Sequence, residues 1–165
     1  MVEFILKNGT LHGAGLTLRA AFGRSGITTT KCEGDGATPS GTLKLMRILY
    51  RADRLAPPRC VVPVEPLAPE DGWCDEPQDP AYNQPVRLPY PASHEELWRA
   101  DALYDIIGVL DWNLNPAVPQ RGSAIFLHIA TPDYAPTAGC VALNLADLQQ
   151  ALKAGLSAIV VPAES

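Results

Sequence analysis

A cysteine and a histidine lie twelve positions apart in the sequence (140 − 128 = 12), and together they could carry out nucleophilic chemistry. Cys140 follows Gly139 in a turn of small residues, and His128 lies in the apolar run 124–130. A thiol attacks a carbonyl carbon as its thiolate, so it needs a nearby base or cation. The imidazole of His128 could be that base. The pair therefore indicates cysteine-dependent acyl transfer.

The residues next to Cys140 could complete such a site. A tetrahedral intermediate carries a negative oxygen that backbone N–H groups can stabilise, and the amides of Gly139 and Cys140 are the natural donors. Thr137 and Tyr134 lie in the same loop and are candidates for substrate binding, although packing or turn residues would look the same. The alternative for Cys140 is a buried structural thiol, which is the usual environment of a cysteine.

The residues around His128 predict a β-strand. The run 124–130 is too apolar for the surface, and its length suits a strand better than a helix. Side chains alternate between the two faces of a strand. The core face would hold Ile125, Leu127 and Ile129, and the opposite face Ala124, Phe126, His128 and Ala130. His128 is therefore expected to point away from the core.

The rest of the chain predicts one mainly β domain of two packed sheets, with one or two short helices. Further strands are expected at 2–7, 16–22, 42–50, 103–111 and 157–161, with a hairpin turn at Asn8-Gly9. Asn144 can cap a helix from Leu145 to about Ala154 that stops at Gly155. Ser93–Glu96 is a capping box, and it predicts a short helix through about Ala100.

A proline-rich segment, residues 57–91, separates these elements. It carries most of the 16 prolines of the chain, and prolines this dense oppose helices and central strands. Trp73, Tyr82 and Tyr90 supply apolar anchors, so we expect an ordered cover rather than a disordered linker. The cover could form one wall of a substrate groove, or it could be a packed loop without a ligand.

Composition excludes several classes of protein. A net charge of −5 argues against a nucleic-acid partner, and no stretch approaches the roughly 18 apolar residues of a membrane span. The first residues lack the apolar run and cleavage site of a signal peptide. The four cysteines lack the paired spacing of zinc sites, and no cofactor or metal signature is present. Cys32, Cys60 and Cys74 are interpreted as free thiols, with a Cys60–Cys74 disulfide as the alternative.

Three segments follow the pattern of a known family. His128, a loop and then TAGCV at 137–141 match a histidine, a loop and Ser/Thr-x-Gly-Cys-Val/Ile. KCEGDGATPSG at 31–41 matches an upstream K…G…TPxG turn, and the tail matches a closing helix, glycine and strand. The chain thus resembles the L,D-transpeptidase (YkuD-like) catalytic domain family from about residue 23 to residue 161.

The resemblance implies a β-sandwich with the cysteine on a loop beside a cleft. It implies that Cys140 is the nucleophile, that His128 is its base and that the substrates are peptidoglycan stem peptides. Cell-wall cross-linking or remodelling, acylation of Cys140 by carbapenems and a place in the bacterial periplasm or cell envelope are implied in the same way. No signal peptide is predicted in this sequence, so a mature or trimmed form of an envelope protein and a cytoplasmic location both stay open. The sequence does not indicate an oligomeric state.

Two departures mark a divergent branch of that family. Members usually carry a histidine just before the Gly-Cys pair and an arginine two residues after the cysteine, where this chain has Ala138 and Ala142. The cations that could replace the arginine are Arg24, Lys31, Arg87 and Arg99, and the sequence does not rank them. Hydrolysis by the same Cys-His pair and a non-catalytic domain that binds wall peptides are therefore alternatives to transpeptidation.

Overall fold

The computed structural model describes residues 1–163, which form a mainly β domain with packed sheets, as predicted. In chain order the strands are β1 Val2–Lys7, β2 Thr10–Gly13, β3 Leu16–Arg19, β4 Ile27–Thr28, β5 Thr38–Pro39, β6 Gly41–Tyr50, β7 Val64–Pro66, β8 Asp71–Cys74, β9 Pro85–Arg87, β10 His94–Glu96, β11 Ile106–Leu110, β12 Phe126–Ile129, β13 Val141–Leu143 and β14 Leu156–Val161. The helix is α1, Leu145–Lys153, which lies between β13 and β14.

The long strand β6 joins the two halves of the main sheet. Its first residues pair with β14, and the strand order continues outward through β1, β2 and β3. Its later residues pair with β11, followed by β12 and β13. Leu43 and Leu45 are buried while Lys44 and Met46 are exposed, which is the alternation expected of a strand with one solvated face. One long strand thereby links the terminal strands to β12, which carries His128, and to β13, which Cys140 directly precedes.

The two faces of β12 pack into different parts of the core, whereas the sequence predicted a single core face. Ile125, Leu127 and Ile129 join the main hydrophobic core. Phe126 belongs to a second cluster, together with Trp73 of the proline-rich segment and with Cys140. His128 therefore lies on the face that the main core does not use.

The helix α1 forms where its sequence predicted it. The side chain of Asn144 accepts a hydrogen bond from the Asp147 amide, which satisfies one of the free N–H groups of the first turn. Leu148, Ala151 and Leu152 are buried in the main core. The helix packs against β12, β13 and β14, so it supports the strands of the site from behind.

The prediction of a helix after Ser93 is wrong. His94–Glu96 instead form β10, which pairs with β8 in a three-stranded sheet with β9. The capping-box pattern is local, and pairing with a strand twenty residues away overrides it (94 − 74 = 20 for the pair His94 and Cys74). This pairing turns Glu95 inward, which a solvent-exposed helix would not do.

The proline-rich segment is an ordered cover, as its aromatic residues predicted. The Trp73 ring is 2% exposed, its indole N–H donates to Asn83 Oδ1 at 2.9 Å, and its edge meets Phe126 with 5.1 Å between ring centroids. Tyr82 is also buried, and the Tyr90 hydroxyl donates to Asp79. The cover thus seals the second hydrophobic cluster behind the strands of the site.

Candidate active site

His128 lies in β12 and Cys140 directly precedes β13, the parallel neighbour of β12, so the two residues share one face of the sheet. The register pairs Leu127 with Val141 and His128 with Ala142, so Cys140, two residues before Ala142, lies on the side of the sheet that His128 occupies. Both residues are buried, each 8% exposed, and both line one cavity of about 410 Å³. The structure therefore brings together the two residues that the sequence singled out.

The thiol of Cys140 is held between two backbone groups. Its Sγ accepts from the Phe126 N–H at 3.3 Å and donates to the Ala124 carbonyl at 3.2 Å. Burial raises the pKa of this thiol to about 12, and Glu95 adds to the shift, while the Phe126 N–H and Lys31 oppose it. The resting sulfur is therefore a protonated thiol rather than a thiolate.

His128 is oriented by a main-chain carbonyl. Its Nδ1 lies 2.9 Å from the oxygen of Ile129, and because a carbonyl only accepts, Nδ1 carries the hydrogen. Nε2 is left as the basic nitrogen of a neutral ring. Burial lowers the pKa of His128, which keeps the ring neutral at neutral pH. A backbone carbonyl therefore orients the ring.

The Cys140 thiol and the His128 ring are not hydrogen-bonded to each other within residues 1–163. Within residues 1–163 no hydrogen bond joins Sγ to the imidazole, since Sγ is engaged by Ala124 and Phe126. Rotation about the Cα–Cβ bond of Cys140 would release these contacts and turn the sulfur within the cavity that both residues line. Catalytic hydrogen bonds in free enzymes are often long and tighten only when substrate binds.

The turn before Cys140 is held on both sides. The Thr137 hydroxyl donates to the Cys140 carbonyl at 2.6 Å and accepts from the Gly139 N–H at 3.1 Å. The Thr38 hydroxyl, from the TPxG segment, donates to the Gly139 carbonyl at 2.8 Å. The Gly139 amide is thus used inside the turn, whereas the Cys140 N–H has no partner within the described chain. Of the two backbone amides predicted to stabilise the oxyanion, the Cys140 N–H is the one without a hydrogen-bond partner among the described residues.

Tyr134 lies away from this cavity. Its hydroxyl accepts from the Asn144 N–H at 3.3 Å, and the guanidinium of Arg19 lies 4.2 Å from the centre of its ring. It lines a shallower depression next to the site together with Pro136, whereas Thr137 lines the cavity that holds Cys140. The structure brings Thr137 to the pair and does not bring Tyr134 to it.

Three of the four candidate cations reach the cavity. Arg24, Lys31 and Arg99 line it, while Arg87 is exposed on the cover and pairs with Glu70 at 2.8 Å. The Arg99 guanidinium pairs with Asp101 at 2.6 Å and lies over the Tyr104 ring, 5.1 Å from its centre. The tertiary structure thus separates the three cations that line the cavity from Arg87, a distinction that the sequence did not make.

The cavity also contains residues that sequence reasoning missed. The Tyr104 ring meets the His128 ring edge-on, with 5.3 Å between centroids, and its hydroxyl donates to Glu95. Burial raises the pKa of Glu95. Asp75 also lines the cavity, and its buried Oδ1 has no hydrogen-bond partner among residues 1–163. No local pattern marks these residues, because Asp75 and Glu95 reach the site only through the pairing of β8 with β10.

Neither a metal nor a membrane helix is indicated by the described residues. Residues 1–163 contain no group of three or more His, Cys, Asp or Glu side chains arranged to hold a metal ion. The four cysteines are free thiols. None of the described helical segments combines the length and apolar character needed to cross a bilayer.

Comparison with family models decides the relationship. Residues 3–160 match the model described as the L,D-transpeptidase catalytic domain, YkuD. The chain belongs to the YkuD family. The match spans nearly the whole chain, including the TPxG turn, His128 and Cys140. A search of curated proteins found no match.

Proposed function

We propose that this YkuD domain is an L,D-transpeptidase that acts on peptidoglycan stem peptides with Cys140 as its nucleophile. The observation that carries the proposal is the shared cavity, because Cys140 lines it from the residue before β13 and His128 lines it from the adjacent strand β12. The free N–H of Cys140 supports it further, since it can donate to the oxyanion. Membership of the family supports the choice of substrate.

The reaction begins with general base catalysis. His128 Nε2 takes the proton of the thiol while Sγ attacks the carbonyl carbon of a meso-diaminopimelate residue in the stem peptide. The carbonyl oxygen becomes negative and is held by the Cys140 N–H. The tetrahedral intermediate then collapses, the C–N bond to the terminal D-alanine breaks, and His128 returns its proton to the leaving amine. A thioester remains on Cys140.

The second half of the reaction reverses these roles. The amine of a second stem peptide attacks the thioester carbon, and His128 accepts a proton from it. The C–S bond breaks, the thiol is protonated again, and a new amide joins the two peptides. Thr137 keeps the turn in place through its two hydrogen bonds, so the nucleophile stays at the same point during both steps.

Intact-mass analysis tests the nucleophile. Incubation with a carbapenem or a tetrapeptide stem should add one acyl group to the wild type and none to Cys140→Ala. Cys60→Ser is the matched control, because Cys60 is a free thiol outside the cavity and its loss should leave the adduct unchanged. An adduct that persists in Cys140→Ala would refute the assignment.

Hydrolysis is the second candidate, and one observation favours it. Ala142 lies beside His128 in the register and lines the cavity, so a small side chain occupies the position where relatives carry arginine. The space that it leaves could admit water as the acyl acceptor. Product analysis with and without an added amine distinguishes the reactions: cross-linked peptide indicates a transpeptidase, and free tripeptide alone indicates a carboxypeptidase.

A further inference from the structure

Lys31 is a buried cation directly beneath the turn that carries the nucleophile. The residue is 6% exposed, and its Nζ donates to Asp35 Oδ1 at 2.6 Å and to the Ala37 carbonyl at 2.8 Å. An ammonium has three N–H donors, so one remains without a partner within residues 1–163. Lys31 also lines the cavity that contains Cys140. Burying a charge costs free energy, so a buried ammonium beside the cavity calls for an explanation.

Two glycines make room for this side chain. A Cβ atom on Gly122 would lie 2.9 Å from Lys31 Cε, and one on Gly139 would lie 3.3 Å from Lys31 Nζ and 2.8 Å from the Ala37 oxygen. Both glycines also have a positive φ, +103° and +140°, which other residues rarely adopt. The backbone of the nucleophile turn is thus built to lie against the lysine ammonium.

The other cations of the cavity are less suited to act on Cys140. Arg99 is committed to Asp101 and to the Tyr104 ring, next to His128 rather than beneath the turn. Arg24 is exposed, and its guanidinium packs against Gly36. Neither approaches Gly139 in the way that Lys31 does.

We propose that Lys31 is the positioning residue that supplies positive charge to the nucleophile of this site. The ammonium stabilises the negative charge that forms on Sγ when the thiol loses its proton. That proton goes to His128; Lys31 keeps all three of its protons and forms no covalent bond. This inference rests on the proposed function in taking Cys140 as the nucleophile.

The test is the pH dependence of thiol alkylation, which requires no stem peptide. Iodoacetamide reacts with the thiolate, and peptide mass analysis measures Cys140 separately from the other thiols. In Lys31→Met the alkylation rate of Cys140 should fall about tenfold at pH 8. The pH at which this rate rises should be about one pH unit higher than in the wild type. Lys31→Arg should restore most of the rate because it keeps the charge.

The controls separate charge from structure. Lys44→Met removes an exposed lysine of β6 outside the cavity and should leave the Cys140 profile unchanged. Cys60 serves as the internal reference in every variant. If a folded Lys31→Met protein shows the wild-type profile at Cys140, the inference is overturned.

A second variant covers the case in which Lys31→Met does not fold. Asp35→Asn removes the carboxylate that compensates the ammonium, so the Cys140 profile should move to lower pH. An unchanged or raised profile would overturn the inference. Failure of the proposed function would look different: the alkylation profile would still depend on Lys31 while the protein failed to form an acyl-enzyme from stem peptide.

Discussion

The thiol and the imidazole of this site are both neutral at rest. Cys140 donates to the Ala124 carbonyl, and burial raises its pKa to about 12. Burial lowers the pKa of His128, so the ring is held in its basic form. These opposite shifts disfavour a preformed thiolate–imidazolium pair and favour proton transfer during the attack itself.

The first prediction at this scale concerns the free thiols. In the substrate-free protein at pH 8, iodoacetamide should alkylate exposed Cys32 faster than Cys140, because the raised pKa leaves little thiolate on Cys140. Time-resolved peptide mass analysis measures both rates in one sample. Faster labelling at Cys140 would indicate a preformed thiolate and contradict the neutral pair.

The second prediction concerns the loss of reaction rate at acidic pH, the acid limb of the pH–rate profile. The base must be neutral, and a lowered His128 pKa keeps it neutral to a pH below the ordinary value of 6.5. Acyl-enzyme formation should therefore lose half of its rate at a pH below 6.5, measured by stopped incubation and intact mass. His128→Gln should remove this limb together with most of the rate, and a midpoint above pH 7 would contradict the prediction.

At the scale of elements, the site is a junction between two distant segments. Thr38 of β5 is fully buried, its hydroxyl donates to the Gly139 carbonyl at 2.8 Å, and it accepts from the Gly23 N–H at 2.9 Å. The TPxG segment is therefore tied to the Gly139-Cys140 turn across about a hundred residues of chain (139 − 38 = 101). This contact explains why the two motifs belong to one site.

Thr38→Val tests that junction. Valine keeps the shape but leaves two buried backbone groups without partners, so the free energy of unfolding should fall by about 1–3 kcal/mol. The rate of acyl-enzyme formation should fall about tenfold, because the Gly139-Cys140 turn loses an anchor. Urea unfolding and intact-mass kinetics measure the two effects. Thr38→Ser keeps the hydroxyl and should keep most of the rate; equal rates for both variants would argue against the anchor.

At the scale of the whole molecule, the cover and the sheet make one site. The cover packs Trp73 against Phe126, next to the sulfur of Cys140 in the second hydrophobic cluster. The same segment and the β10 strand bring Asp75 and Glu95 to the cavity wall. The cover therefore both stabilises β12 and completes the charged lining of the site.

Trp73→Ala should test the cover. Truncating a fully packed tryptophan should lower the free energy of unfolding by about 3–5 kcal/mol, and acyl-enzyme formation should fall because β12 loses its support. Met46→Ala is the control, since Met46 is 48% exposed and its loss should cost less than about 0.5 kcal/mol. Urea unfolding measures both variants, and a similar small cost for each would contradict the structural role of the cover.

The sequence by itself determined the features that depend on neighbouring residues. Alternation placed His128 opposite the core face of β12, the Asn144 cap and Gly155 marked the ends of α1, and the motif at 137–141 identified the family. Period-two alternation, cap hydrogen bonds and tight turns are set within a few residues, so they can be read from the chain.

Tertiary structure alone decided which distant side chains meet. β10 formed where a capping box predicted a helix, because pairing with β8 outweighed the local signal. The same long-range packing brought three of the four candidate cations to the cavity, placed Glu95 and Tyr104 beside the pair and left Tyr134 outside the cavity. Contacts between segments far apart in the chain depend on burial and strand pairing, which no short pattern encodes.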